Sequence, residues 1–215
     1  MATSPGILQP IDALGSKPPQ PPRHNGNGNG DGRGGPTSPS HLAILGIWVA
    51  LAPILMLFLA FLSAYIVRQG LGSNWIAIPV PKLLWVNTLV LLVSSALLER
   101  ARRLVHNGDD AARGWFLATL ACGVLFVIGQ GVAWNQLSAR GIGISSSAHS
   151  SFFYLLTGTH AVHLVGGLIA LTAASFWPPS RFGMSREVVS RVTSIYWHFM
   201  SILWVGLFLV LSFWR

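Results

Sequence analysis

The sequence predicts an all-α fold, a polytopic membrane bundle of five transmembrane helices. Three observations point to it. Hydrophobic residues make up 52% of the 215 residues and charged residues only 9%, whereas a water-soluble domain carries about 25% charged residues. Five apolar stretches follow one another, at roughly 41–67, 82–104, 114–137, 150–176 and 190–214. Each exceeds the roughly 20 residues that a helix needs to cross about 30 Å of hydrocarbon. Lipid offers the backbone no hydrogen bonds, so stretches this long and apolar must satisfy their own amides as helices.

The elements follow in order. Residues 1–40 contain Pro18, Pro19, Pro21 and Pro22, then a run from Asn25 to Pro36 built almost wholly from Asn, Gly, Asp and Arg. So few apolar side chains cannot offset the entropy of ordering the backbone, and a disordered cytoplasmic tail is expected. No apolar segment follows a basic one there, which argues against a secretory signal, and a plain tail fits better than a transit peptide. The first span carries Pro53, which removes a backbone hydrogen bond and should kink the helix. The second ends on Glu99 beside Arg100, Arg102 and Arg103. In the third, Gly129 and Ala133 stand four apart, as do Gly166, Ala170 and Ala174 in the fourth. Small residues at that spacing let helix backbones approach closely in lipid. The connections are short, so sequential helices should be antiparallel neighbours.

A formal charge of +8 can signal nucleic acid, but in a membrane protein basic residues gather at the cytoplasmic edge, and no nucleic-acid partner is expected. With the amino terminus inside, the inner segments hold ten basic residues: Lys17, Arg23, Arg33, Arg100, Arg102, Arg103, Arg113, Arg181, Arg186 and Arg191. The outer side holds four, Arg68, Lys82, Arg140 and Arg215. This asymmetry predicts a cytoplasmic amino terminus and an external carboxyl terminus. Trp75, Trp85, Trp115, Trp134, Trp177 and Trp214 would mark the interfaces as an aromatic belt.

Polar residues inside the spans narrow the function. Of the six acidic residues, Asp12, Asp31, Glu99, Asp109, Asp110 and Glu187, only Glu99 falls within a span. Pumps and ion-coupled transporters keep ionisable groups near the midplane and often use paired interrupted helices; the spans show neither a midplane carboxylate nor such a pair. Cys122 is the single cysteine, which excludes an intrachain disulfide and a Cys-based metal site. Thr157, His160 and His163 lie three apart on the fourth helix and line one curved stripe. His198 sits in Tyr196-Trp197-His198-Phe199 on the fifth. One reading is a haem b electron carrier with His163 and His198 as axial ligands. Counted from the cytoplasmic ends, those two differ in depth by about 7 Å at 1.5 Å per residue, a poor fit to one iron. The other reading is interhelical hydrogen bonding.

The stretch Ser151-Phe-Phe-Tyr-Leu-Leu-Thr-Gly-Thr-His-Ala-Val-His-Leu-Val-Gly-Gly167 resembles the signature of haem–copper oxidase subunit III, with its Phe-Phe and Thr-Gly-x-His-x-x-His. Tyr196-Trp197-His198-Phe199 followed by Trp204 is similar to the final helix of that family. Gly123-Val-Leu-Phe126 with Gln130 and Trp134 resembles the helix before the signature, and Asn87-Thr88, Ser94-Ser95 and Glu99-Arg-Ala101 resemble bacterial members. The likeness covers roughly residues 41–215 and leaves residues 1–40 without a counterpart.

The resemblance implies the five-helix bacterial type of cytochrome c oxidase subunit III in the bacterial plasma membrane. It implies a non-catalytic chain with no haem, copper or other metal of its own and with phospholipid bound between helices. Its partners would be catalytic subunit I, which carries haem and copper, and subunit II, in a complex coupling oxygen reduction to proton translocation. A quinol oxidase subunit and an accessory protein of nitric oxide reduction belong to the same family. Tyr154, Thr157, Gly158, His160, His163, Tyr196, Trp197 and His198 would then be helix-packing or lipid-adjacent groups. Arg102 and Arg103, with Arg100, lie where basic residues either pair with phospholipid head groups or set topology. The sequence departs from the family at three positions that often carry a carboxylate: Ile54 after Pro53, Ala133 and Ser201. Any carboxylate-dependent role at those positions is lost.

Overall fold

The structure, a computed structural model, describes residues 39–71, 81–176 and 185–213. Five helices fill them: α1 Pro39–Gly70, α2 Leu83–His106, α3 Ala112–Ala139, α4 Ala148–Phe176 and α5 Arg186–Phe213. All five are long and apolar enough to cross a membrane. The tail over 1–40 lies outside the described residues except at its end, where α1 already begins at Pro39. Trp75, Trp177 and Trp214 also lie outside them. α1 runs through Pro53 without a break in its helical assignment.

The helices overrun the apolar stretches because polar residues cap them. Ser147 and Ser150 exchange bonds at the start of α4: each hydroxyl accepts the other's backbone N–H, at 2.9 and 3.1 Å. This satisfies amides that the first turn leaves without helical partners. Ser185 Oγ accepts the Val188 N–H at the start of α5, which begins four residues before the apolar run. α2 and α3 end on glycines in the left-handed region, Gly108 (φ 72°) and Gly141 (φ 79°). Asp109 N–H then reaches back to Leu104 O, and Ile142 N–H to Leu137 O, closing each helix end.

α2, α3, α4 and α5 form a ring in which each packs against the next and α5 returns to α2; α1 lies outside, on α4 and α5. Cross-contacts show antiparallel neighbours: Ser94 meets Trp197 while Thr88 meets Trp204. The buried residues of α3 are Ala112, Phe116, Thr119, Gly123, Phe126, Gln130, Ala133 and Leu137. Their alternating steps of four and three make a heptad seam, the packing of a left-handed bundle. α1 turns Leu51, Phe58 and Tyr65 inward at the same seven-residue period, and leaves Trp48, Met56 and Leu59 exposed.

Glycines admit large side chains at three crossings. A Cβ on Gly123 would sit 2.7 Å from both Leu168 and Trp197, and one on Gly167 would sit 2.9 Å from Tyr196. One on Gly129 would collide with the Asn87 amide. Gly129 and Ala133 therefore do serve packing, but among the described residues the stripe Gly166, Ala170 and Ala174 makes no close helix crossing: Gly166 and Ala170 are exposed and Ala174 is only half-buried. On α4 the close approach falls one residue later, at Gly167, because the α4 seam runs through Leu164, Gly167 and Leu171.

Candidate functional site

The polar side chains expected to matter converge on the inside of the ring. Trp197 and Trp204, one above the other on α5, are both buried and both aim their indole N–H at α2. Trp197 Nε1 donates to Ser94 Oγ at 3.0 Å, and Ser94 Oγ is 3.5 Å from Thr119 O on α3. Trp204 Nε1 donates to Thr88 Oγ1 at 3.0 Å, and Thr88 donates to Leu84 O. Asn87 Nδ2 donates to Phe126 O on α3 at 2.9 Å, across the gap that Gly129 leaves. A polar ladder on α2 thus ties three helices together where lipid supplies no competing partner.

On α4 the predicted stripe divides. Thr157 and His160 are buried, whereas His163 is half-buried. Thr157 Oγ1 accepts the Trp134 indole N–H at 3.1 Å and donates to Phe153 O. Gly158 lies under the same indole, where a Cβ would make ordinary contact at 3.9 Å. Tyr154 Oη lies 3.0 Å from Ile142 O and 3.3 Å from Trp134 O, fixing the α3–α4 connection. His163 Nδ1–H donates to Thr159 O at 2.8 Å, and its own carbonyl accepts Tyr196 Oη at 2.8 Å. Its ring meets Phe58 of α1 edge-on at 5.7 Å.

His160 occupies the centre. Its ring lies against Trp204 at 4.9 Å, with Phe126 at 6.0 Å and Phe58 at 6.4 Å. Neither ring nitrogen has a hydrogen-bond partner among the described residues, and the same is true of the buried Gln130 amide on α3. His198 points elsewhere. Its Nδ1 is hydrogen-bonded to Ser95 Oγ on α2, and its Nε2 lies 3.8 Å from Glu99. The rings of His163 and His198 therefore face different helices, α1 and α2, a stronger objection to a shared haem iron than the depth difference. Among the described residues no three His, Cys, Asp or Glu side chains gather closely enough to hold a metal ion.

Glu99 anchors the charged end of α2. Arg102 Nε and Nη2 each donate to its carboxylate at 2.8 Å, a bidentate pair, and Arg103 Nε donates at 3.1 Å. Arg100 instead lies over the Trp115 ring, 4.9 Å from its centre. The positions without family carboxylates are filled by packing. Ala133 is fully buried in the α3 seam, Ser201 donates to Trp197 O, and Ile54 packs against the core.

Sequence reasoning quoted Asn87, Thr88, Ser94, Ser95 and Gln130 only as points of likeness and assigned them no role. The available signal was their spacing. Positions 84, 87, 88, 91, 94 and 98 are buried on α2, and a polar residue recurring at three or four in an apolar helix marks the face turned from lipid.

Fold and polar ladder together define an integral membrane protein, a five-helix bundle knit by interhelical hydrogen bonds. The sequence profile described as "Cytochrome c oxidase subunit III" matches residues 43–215. A "Probable cytochrome c oxidase subunit 3" of Nocardia farcinica is 35% identical over 181 residues, covering 81% of this chain and 89% of the relative. A protein of the same description from Mycobacterium tuberculosis gives the same figures. A "Cytochrome c oxidase subunit 3" of Corynebacterium diphtheriae is 30% identical over 182 residues, covering 80% and 88%. This chain belongs to the cytochrome c oxidase subunit III family, the subunit III of haem–copper oxidases.

Proposed function

We propose that this chain is the non-catalytic subunit III of a terminal respiratory oxidase, packed beside catalytic subunit I and subunit II in a bacterial plasma membrane. The haem and copper that reduce oxygen are held by those partners, and proton translocation belongs to the assembled complex. The observation that carries the reading is the use of the intramembrane polar groups. The indoles of Trp197 and Trp204, and Asn87, Thr88, Ser94, Thr157 and Tyr154, are spent on tying helices together. His163 and His198 likewise bond within the bundle. Such a bundle is a scaffold with an apolar exterior, and α1 offers the broadest exposed apolar face to a partner or to the acyl chains of phospholipid. The arginine-rich end of α2 and the start of α5 face the cytoplasm on this reading, with the tail over 1–40 on the same side and the carboxyl terminus outside.

The test is gentle solubilisation and capture of this chain, with visible spectra recorded before and after its separation from co-purifying polypeptides. A large haem-bearing polypeptide should accompany it, and the absorbance should stay with that partner. Absorbance retained by the isolated chain would overturn the reading. So would its recovery alone from mild detergent.

A further inference from the structure

Two polar side chains near the centre of the bundle take no part in the ladder. Gln130 on α3 and His160 on α4 are 1% and 0% exposed. Gln130 Oε1 and Nε2 and both ring nitrogens of His160 lack a hydrogen-bond partner among the described residues. A primary amide offers two donors and an acceptor, and a neutral imidazole one of each. Unpaired groups of this kind are costly inside a membrane bundle, because lipid offers them nothing to bond.

Packing brings the two to one level. Phe126 of α3 meets the His160 ring at 6.0 Å, and Trp134, about two turns further along α3, donates to Thr157, one turn before His160. Gln130 stands one turn from Phe126 and one from Trp134, on the same buried seam. It is therefore bracketed by the two residues that contact His160 and Thr157, and His160 belongs to the buried seam of α4. The polar groups around them are already committed. The Trp204 indole donates to Thr88, and the Thr157 hydroxyl accepts from Trp134 and donates to Phe153 O. Trp204 covers the imidazole at 4.9 Å, while Phe126 and Phe58 stand further off, at 6.0 and 6.4 Å.

We propose that water is bound between α3 and α4 at this point, bridging the Gln130 amide to the His160 imidazole. Water both donates and accepts, as this mixed set of donors and acceptors requires, and it brings no charge into the apolar surroundings. A metal cation would lack ligands, since no three His, Cys, Asp or Glu side chains gather among the described residues. Buried waters typically make about three hydrogen bonds to groups that have no other partner, and four such atoms are present here. The bridge joins α3 to α4 within the bundle, as the indole bonds join α5 to α2. It also holds the imidazole in one tautomer, set by which nitrogen donates.

The experiment is water-edited solid-state nuclear magnetic resonance on the full chain in lipid bilayers, with histidine and glutamine side chains labelled with nitrogen-15. The His160 ring signals are assigned by their loss in His160→Phe. In the wild type, magnetisation from water should reach the His160 ring, and the Gln130 side-chain amide should receive it too. In Gln130→Met, which keeps the length of the side chain and removes its polar atoms, transfer from water to the His160 ring should fall to background. Ser194→Ala, at a buried hydroxyl elsewhere on α5, should leave the transfer unchanged. Three results would overturn the proposal: a dry His160 ring in the wild type, transfer from the Gln130 amide straight to the ring with none from water, or water transfer that survives Gln130→Met. The wild-type spectrum decides the first two even if Gln130→Met fails to fold.

Discussion

At the scale of single residues, the serine and threonine hydroxyls of α2 decide how firmly the bundle closes. Ser94 and Thr88 each accept a buried indole N–H, and their removal leaves that N–H with neither protein nor water as partner. Ser94→Ala and Thr88→Val should each destabilise the chain by about 1–2 kcal/mol, read from unfolding in mixed micelles titrated with sodium dodecyl sulfate. An unchanged midpoint for both would show that the ladder carries no stability. Gly129 is a second such point. Gly129→Ala should cost about 1–3 kcal/mol through overpacking against Asn87. Adding Asn87→Ala should recover part of that loss, a non-additivity measurable in a double-mutant cycle. These residues were visible in the sequence as types but not as partners. Ser94 lies 103 positions from Trp197, and no local pattern states which helix face meets which.

At the scale of helices, α1 differs from the other four. It attaches through the narrow seam of Leu51, Phe58 and Tyr65, with most of its apolar surface exposed. Phe58 carries much of the contact, meeting both His160 and His163. Phe58→Ala should cost roughly 3 kcal/mol, whereas Met56→Ala, on the outer face, should stay within about 0.5 kcal/mol for the isolated chain. The same titration separates them, and equal effects would contradict the inward assignment. The helices themselves were legible to within four residues at each end. The small boundary shifts come from Ser147, Ser150, Ser185, Gly108 and Gly141, which extend or stop helices by hydrogen bonding and backbone conformation rather than by hydropathy. The inner faces were harder to read. An apolar helix in lipid is hydrophobic all round, so the periodicity that marks a soluble helix is weak, and the Gly166, Ala170, Ala174 stripe lies off the α4 seam that packs within the bundle.

At the scale of the whole molecule, basic residues govern how a bundle is threaded through the membrane. The ten-to-four split of basic residues predicts that the α2–α3 turn is cytoplasmic and the α3–α4 connection external. In a Cys122→Ser background, a cysteine at Ile144 should react with a membrane-impermeant maleimide in intact cells. One at Asp110 should react only after the membrane is opened. The reverse pattern would place the amino terminus outside. Both positions are exposed in the structure, so failure to label reflects the membrane rather than burial.

The sequence by itself determined the solvent, the number of spans and the family. Chain length above the hydrocarbon thickness forces a helix, and a signature such as Thr157-Gly158-x-His160-x-x-His163 survives as a linear string. Only the tertiary structure decided what those residues touch. It sent His163 toward α1 and His198 toward α2, left His160 among aromatic rings, joined Glu187 of α5 to His106 of α2, and made α2 the rung-bearing helix of the ring. The reason is physical. In lipid, burial of apolar surface does not choose between helix faces, so the choice falls to close packing at glycines and to a few hydrogen bonds between residues far apart in the chain. Those are properties of pairs, and a single sequence lists only their members.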